Sequence, residues 1–125
     1  TYIDDGIAAL MTIIENKDGC ATRRIFNIGN PANDYSVKDF VNLLLEKFKG
    51  YPEYKSVAEA TKVTVIDGEA HYGKHYEDAG FRIPSIQNAK DHLGWEPTTS
   101  MDDALTKTLD YYLVEKKEEI TVEAA

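Results

Sequence analysis

The sequence predicts an α/β fold, because segments with helical spacing of apolar residues alternate with two short runs that have the period of a β-strand. The chain has 125 residues, of which 42% are hydrophobic, a size that suits one domain with a substantial core. Two strands make a poor sheet by themselves. We therefore expect further strands from sequence outside this chain or from another chain.

The N-terminal segment predicts an amphipathic helix to about residue 16, because its apolar residues repeat at helical spacing: Ile7, Leu10, Met11 and Ile14. Asp4 or Asp5 is placed to cap the start of this helix by accepting amide hydrogen bonds. The same pair could serve as acid and base, but capping and compensation of the helix dipole is the favoured interpretation.

Two segments predict strands: "RRIFNIG" at 23–29 and "KVTVID" at 62–67. Between them, Ser36 and Asp39 form a capping box. The box precedes an apolar stripe that ends near Gly50 and consists of Val37, Phe40, Leu44, Leu45 and Phe48. This pattern predicts a second amphipathic helix.

The C-terminal half predicts two more helices. A short one begins at Ser85 and ends at Gly94. A second capping box, Ser100 with Asp103, leads into a helix with one apolar side: Met101, Leu105, Leu109, Tyr112 and Leu113. Residues 114–125 lose the stripe, and we expect a frayed helix end or a tail there.

Charge and composition narrow the class of protein. Lysine and arginine total 14 against 22 acidic residues, a net charge of −8, which argues against a nucleic-acid or membrane partner because such partners require a positive surface. Cys20 is the single cysteine, so no internal disulfide can form. No apolar run resembles a signal peptide or a membrane span, which fits a soluble cytoplasmic protein. The chain does not begin with Met, and we expect Thr1 to lie inside a longer polypeptide.

The segment "HYGKHYEDAGFRIPS", residues 71–85, has the composition of a binding loop. It is long for a connection and has hardly any aliphatic side chains. Cationic and aromatic residues are interleaved within it: His71, Tyr72, Lys74, His75, Tyr76 and Arg82. An anionic ligand with a flat base would require this mixture, whereas singly these residues are more often surface ion pairs or packing.

A metal site is disfavoured. His71 and His75 lie near Asp67 and Glu69, but zinc needs three or four ligands on a pre-organised frame, and these histidines lie on a loop without cysteine partners. We therefore expect no metal.

A cofactor site is not visible in this chain either. The dinucleotide motif G-x-G-x-x-G and the P-loop are absent. Two matches to the catalytic Tyr-x-x-x-Lys of short-chain dehydrogenases occur, but Tyr51 to Lys55 contains Pro52 and is expected in a loop, and Tyr112 to Lys116 lies near the C-terminus. Both are interpreted as coincidences.

Several segments together resemble the C-terminal part of extended short-chain dehydrogenase/reductase enzymes, the NAD-dependent epimerase/dehydratase family: "TYIDDGIAAL", "FNIGNP", "YSVKDFVNLLLEKF" and "AKDHLGWEPTTSMDDALTKTLDYY". Within that family, "HYGKHYEDAGFRIPSIQNA" is similar to the UDP-glucuronic acid decarboxylase domain of the bifunctional polymyxin-resistance enzymes of the ArnA type. His71 stands where those enzymes have a tyrosine, and His75 where they have a glycine.

The resemblance implies a fold, a reaction and roles for residues. The fold is a substrate-binding lobe, mostly helices with a few short strands, which is incomplete without an upstream NAD-binding half of a homo-oligomeric enzyme. Oxidation of UDP-glucuronate by NAD and loss of carbon dioxide give a UDP-4-keto-pentose for the modification of lipid A with aminoarabinose. Tyr76 corresponds to a residue that contacts UDP, Tyr72 and Lys74 belong to the substrate site, and Arg82 corresponds to a proposed catalytic proton donor. We favour charge stabilisation for Arg82, because a guanidinium keeps its proton near neutral pH.

The resemblance also implies that the fragment alone is inactive and exposes apolar surface where the missing half would pack. Two alternatives remain open: another nucleotide-sugar enzyme, such as a UDP-xylose synthase, 4-epimerase or dehydratase, and a non-catalytic binding or assembly module. A glycine-rich NAD motif and a helical Tyr-x-x-x-Lys upstream of Thr1 would favour an enzyme, whereas a natural start near Thr1 would favour a module.

Overall fold

The computed structural model describes residues 1–66, 71, 73 and 82–115. The regular structure in these ranges is helical: α1 (Ile3–Glu15), α2 (Val37–Lys49), α3 (Pro52–Ala60), α4 (Gln87–Leu93) and α5 (Met101–Asp110). A 3-10 turn, Lys17–Gly19, follows α1, and a π-helical turn, Tyr111–Glu115, continues α5. None of the helices described here has the length and apolar character that crossing a membrane requires.

The predicted α/β fold class is wrong for the part of the chain that the structure describes, because no strand and no sheet occur there. Segments 23–29 and 62–66 contain no regular structure. Phe26 and Ile28 are nevertheless half-buried, while Ile25 and Asn27 are exposed, so the alternation was read correctly. A strand also needs a neighbour that accepts and donates its backbone hydrogen bonds, and the described residues provide none.

Three of the predicted helix ends are confirmed. The amide of Asp39 donates to the Oγ of Ser36 at 3.1 Å, and the amide of Asp103 donates to the Oγ of Ser100 at 3.1 Å. Gly94 ends α4 with a φ of 62°, the left-handed conformation that glycine adopts without strain. These capping boxes and the C-terminal glycine depend only on residues within one helical turn, so they were predictable from the local sequence.

The predicted helix α1 is present, but its start and its orientation differ from the expectation. It begins after Tyr2 without a side-chain cap, so neither Asp4 nor Asp5 is the capping residue. It buries Asp5 and Ala9, and it exposes its large apolar side chains: Ile3, Ile7, Leu10, Met11 and Ile14. The stripe that predicted the helix therefore faces away from the core.

Helix α3 was not predicted, because Tyr51 to Lys55 was expected in a loop on account of Pro52. Pro52 is the first residue of α3, a position where proline is favoured because its missing N–H has no partner to lose there. The proline marks the beginning of a helix here and does not interrupt one.

The helices pack in two groups. Helix α1 packs on α4 around a small core of Ala9, Ile86, Ala89 and Trp95, against which Phe26, Ile28 and Leu93 lie. Helix α2 packs on α3 and on α5, where Leu105 and Leu109 are buried. Lys47 of α2 joins α5 through the Asp102 carboxylate at 2.6 Å and the Thr106 hydroxyl at 2.8 Å.

Candidate functional site

Arg82 is exposed at the beginning of the segment 82–86, which leads into α4. This segment is fixed against residues 25–29 by two amide side chains. Asn27 donates from Nδ2 to the carbonyl of Ser85 at 3.2 Å, and Asn88 donates to the carbonyl of Ile25 at 3.3 Å. The backbone that follows the exposed Arg82 is therefore held at Ser85 and Asn88 by residues from a distant part of the sequence.

Gly29 and Pro84 make the closest approach between these two segments. A Cβ atom added at Gly29 would lie 2.6 Å from the Cγ of Pro84, closer than real Cβ contacts allow. Gly29 is therefore required by space and not by an unusual backbone angle. This close approach fixes Pro84, which lies two residues after Arg82.

The turn 30–33, which follows Gly29, is bonded to the residues just before α5. The Asn30 side chain accepts from the amide of Ala32 at 3.0 Å and donates to the carbonyl of Thr99 at 2.9 Å. Asn33 donates to the same carbonyl at 3.2 Å. One carbonyl thus receives two side-chain amides, which fixes the turn 30–33 on the segment before α5.

Asp5 joins α1 to Thr98 and Thr99, which lie just before α5. It is 5% exposed, and its carboxylate accepts from the amide of Thr98 at 3.2 Å, from the Thr98 hydroxyl at 3.0 Å and from the amide of Thr99 at 3.0 Å. Burial alone would raise the pKa of Asp5, but these hydrogen bonds to the ionised form outweigh it and leave the pKa below its ordinary value. Trp95 adds a bond from Nε1 to the Asp5 carbonyl at 2.9 Å. Asp5 is therefore a structural anchor, neither a cap nor an acid–base group.

The other predicted site residues fall mostly outside the described residues: Tyr72, Lys74 and Tyr76, and the disfavoured metal candidates Asp67, Glu69 and His75. His71 is described and is exposed. Among the residues that the structure describes, no group of three or more His, Cys, Asp or Glu side chains could hold a metal ion. The substrate-site assignments of Tyr72, Lys74, Tyr76 and Arg82 thus remain predictions.

The Tyr51 match to the catalytic Tyr-x-x-x-Lys does not have the chemistry of that motif. Its hydroxyl donates to the Asp110 carboxylate at 2.6 Å. Burial, this hydrogen bond and the charge of Asp110 raise the pKa of Tyr51 to about 12. A catalytic tyrosine that accepts a proton near neutral pH needs a lowered pKa, so Tyr51 is structural. The partner of the second match, Lys116, lies outside the described ranges.

Two open depressions lie elsewhere on the surface. One has a volume of ≈ 540 Å³ and includes Tyr2, Lys107, Tyr111 and Tyr112 in its wall. The other, of ≈ 370 Å³, is lined in part by Phe40, Met101 and Leu105. Arg82 lines neither of them.

The sequence reasoning missed the residues that fix this segment: Asn27, Gly29, Asn30, Asn33, Pro84 and Asn88. A signal was present, because three asparagines and a glycine are concentrated in "FNIGNPAN". Asparagine is favoured in turns because its side chain bonds to nearby backbone. The distances in sequence, from 58 to 69 residues for the bonds of Asn27 and Asn30, put the partners beyond local reasoning.

Comparison with solved structures shows what the chain is similar to. No protein-family model matches the chain. The chain is similar to the crystal structure of the PbgP3 protein from Burkholderia pseudomallei, with 41% sequence identity and a TM-score of 0.73 over 90% of this chain. It shares its fold with part of PbgP3. The match covers 30% of the PbgP3 chain, so this chain spans less than a third of that protein.

Proposed function

We propose that this chain is the substrate-binding C-terminal part of an NAD-dependent UDP-glucuronate decarboxylase of the polymyxin-resistance type. The observation that carries the proposal is the 41% identity with PbgP3 over 90% of this chain but only 30% of PbgP3. Such a share is consistent with a C-terminal portion of a longer enzyme. The assignment of the reaction rests in addition on the resemblance between the sequence of residues 71–89 and the decarboxylase domains.

We propose that Arg82 binds the acid group of the substrate sugar. Its side chain is exposed, while Asn27, Pro84 and Asn88 hold the backbone around it. A guanidinium can bind a carboxylate through two parallel hydrogen bonds, and a fixed backbone reduces the entropy lost when that geometry forms. These features support a role in positioning the glucuronate carboxylate.

The same guanidinium would act on the decarboxylation step. In the 4-keto acid, the bond between C5 and the carboxylate carbon breaks, carbon dioxide leaves, and the electron pair forms an enolate with the C4 oxygen. The enolate is then protonated at C5. Arg82 would stabilise the developing negative charge, and the proton would come from water, because a guanidinium keeps its proton and is a poor donor near neutral pH.

Tyr72, Lys74 and Tyr76 complete the proposed substrate site. We assign Tyr76 to the uracil ring, since an aromatic side chain can stack on a base. A Lys74 ammonium suits the diphosphate, and Tyr72 belongs to the same wall. These assignments come from the resemblance and the composition of the loop.

The chain itself does not fit NAD. A dinucleotide is held by a glycine-rich turn that opens a helix, and the described helices begin after Tyr2, Ser36, Tyr51, Ile86 and Ser100. The glycine motif is also absent from the sequence. NAD binding, and with it the oxidation of C4, therefore falls to polypeptide outside this chain, and we expect the 125 residues alone to be inactive.

A hybrid protein tests the proposal. In this protein, called hybrid PbgP3 below, the present chain replaces the matching part of PbgP3. We expect hybrid PbgP3 and PbgP3 to release carbon dioxide and form NADH from UDP-glucuronate and NAD. Release by PbgP3 alone contradicts the assignment for this chain, and release by neither contradicts the reaction. Interconversion of UDP-glucose and UDP-galactose without carbon dioxide would identify a 4-epimerase.

The role of Arg82 is tested in the same hybrid by Arg82→Lys. Lysine keeps the charge and loses the fork, so carbon dioxide release should fall by about 100-fold if both the bidentate contact and charge stabilisation are lost. The matched control is Arg24→Lys, an exposed arginine whose Nε donates to the carbonyl of Cys20 at 3.1 Å. An equal rate for the Arg82→Lys hybrid and the control would contradict the assigned role.

A further inference from the structure

We propose that the larger of the two surface depressions binds a small organic cation that carries an ammonium group. This depression, called the tyrosine depression below, lies between the start of α1 and the end of α5. Its wall includes a tyrosine from α1, two tyrosines from the π-helical turn, and charged side chains: Tyr2, Lys107, Asp110, Tyr111, Tyr112 and Glu115. The proposal depends neither on the likeness to PbgP3 nor on the proposed reaction.

The size and the aromatic content of the tyrosine depression suit a small ligand. Its volume of ≈ 540 Å³ lies within the range of about 300–1,000 Å³ that small-molecule sites have. Tyr111 and Tyr112 are 47% and 57% exposed. Adjacent residues of a helix normally do not face each other, yet in this turn the two rings meet edge to face, with their centroids 5.0 Å apart. Such a contact uses the face of only one ring, so the pair presents aromatic surface to the depression.

One cation already lies on an aromatic ring of this wall. The Nζ atom of Lys107 is 5.0 Å from the centroid of the Tyr2 ring, within the reach of about 6 Å at which a cation is attracted to an aromatic face. The same ammonium lies 4.0 Å from the Oδ2 atom of Asp4. The attraction that holds the lysine ammonium on a tyrosine ring acts equally on the ammonium of a ligand.

The charges of the wall favour a cation over an anion. Among the described residues of the wall, Asp110 and Glu115 contribute two carboxylates and Lys107 contributes one ammonium. That ammonium is already engaged by Tyr2 and Asp4. The chain as a whole has a net charge of −8, which raises the local concentration of cations. Tyrosine rings together with carboxylates are the groups that bind quaternary ammonium ions, so a ligand of this class suits the depression best.

The test compares choline with its carbon analogue, the alcohol in which a carbon atom replaces the nitrogen of choline. The two molecules have the same shape, and only choline is charged. Each is titrated into the 125-residue chain and into hybrid PbgP3, and saturation-transfer difference NMR of the methyl protons follows binding. We expect choline to bind about tenfold more tightly than the analogue to both proteins, the effect of two cation–π contacts.

Two variants locate the binding. Tyr111→Leu should weaken choline binding about threefold, the effect of one exposed cation–π contact. The matched control is Tyr35→Leu, since Tyr35 is 46% exposed and does not line the depression; it should bind choline as the wild type does. Lys107→Met keeps the length of the side chain and removes the competing ammonium, so it should strengthen choline binding about threefold. A site for anions would show the opposite change.

Equal binding of choline and its carbon analogue would overturn the proposal, and so would weaker choline binding by Lys107→Met. Binding by the 125-residue chain but not by hybrid PbgP3 would also overturn it, because the depression would then be covered in the longer protein. If the Tyr111→Leu variant does not fold or the hybrid is insoluble, Lys107→Met in the 125-residue chain decides, since the Lys107 side chain is 53% exposed. Choline binding by a hybrid that releases no carbon dioxide would retain this site and reject the reaction.

Discussion

Replacing Gly29 by alanine tests the contact that positions the Arg82 segment. The added Cβ would lie 2.6 Å from the Cγ of Pro84, whereas ordinary contacts begin at 3.4 Å. The two segments would have to separate by about 0.8 Å, the difference between these distances. The proline ring is rigid, so the backbone around residue 84 must move, and overpacking of this kind costs about 1–3 kcal/mol.

The assay for Gly29→Ala is urea denaturation followed by fluorescence of Trp95, the single tryptophan. This side chain is buried in the core, so its emission changes on unfolding. We expect the free energy of unfolding to fall by about 1–3 kcal/mol with the urea dependence unchanged.

Two variants make this measurement decisive. Gly6→Ala is the same chemical change at the fourth residue of α1, where an added Cβ has nothing within 4 Å, and it should stabilise the protein by about 0.5–1 kcal/mol. Pro84→Ala removes the clashing atom, so it should restore part of the stability lost in Gly29→Ala. A Gly29→Ala protein as stable as the wild type, or no rescue by Pro84→Ala, would refute the close contact.

Three further predictions concern Asp5, Tyr51 and Tyr76. Asp5→Asn should lower the free energy of unfolding by about 1–3 kcal/mol. Because the folded pKa of Asp5 is lowered, its stabilisation is present above the ordinary pKa and is lost as pH falls through the folded pKa. Denaturation from pH 7 to 3 should therefore show a shallower decline of stability in the variant than in the wild type, and an equal decline in both would contradict the bonds to Thr98 and Thr99. Tyr51→Phe should remove a loss of stability between pH 10 and about 12, because the folded pKa of Tyr51 is raised to about 12 and its contribution disappears as pH rises through that value; identical alkaline unfolding curves would contradict the bond to Asp110. Tyr76→Ala in hybrid PbgP3 should weaken UDP binding by about 1–3 kcal/mol in calorimetry if the ring stacks on uracil, and unchanged affinity would assign this residue to packing.

The sequence predicted the features of the fold that depend on neighbouring residues. The capping pairs Ser36–Asp39 and Ser100–Asp103 act across three residues, and Gly94 ends its own helix. Helix α3 was missed for a local reason as well, because proline at position 52 was taken as a breaker although it stands in the first turn. The proline signal was therefore present, but it was interpreted as the interruption of a helix when it marks the start of one.

The features that failed depend on what lies beside a segment. Apolar spacing predicted that α1 is a helix, but it could not show that Asp5 would find Thr98 and Thr99, 93 and 94 residues away, and turn the stripe outward. Likewise, the alternation in 23–29 predicted which side chains are buried, whereas a β-strand also needs a neighbouring strand. A sequence pattern shows which side chains share one face of a segment, but it does not show which other segment packs on that face. The predicted fold class was therefore wrong, while the predicted helices were largely right.

The candidate site was predictable only in part. The charge and aromatic content of residues 71–85 marked the loop, and the position of Arg82 on a fixed segment is compatible with the role assigned to it. The residues that fix the segment, Asn27, Gly29 and Asn88, were not found, because each acts on backbone groups far away in sequence. Binding residues can be predicted from the chemistry of their side chains, whereas the residues that position them are identified only from their contacts in the structure.

The most direct test of the central claim, that Arg82 binds the acid group of a nucleotide sugar, is a comparison of two ligands by calorimetry. Hybrid PbgP3 and its Arg82→Lys variant are each titrated with UDP-glucuronate and UDP-glucose, which differ in the carboxylate. We predict that hybrid PbgP3 binds UDP-glucuronate more tightly by about tenfold, the equivalent of one charge-assisted hydrogen-bonded pair, and that Arg82→Lys removes this preference without changing the affinity for UDP-glucose. A preference that persists in the Arg82→Lys variant would contradict the account.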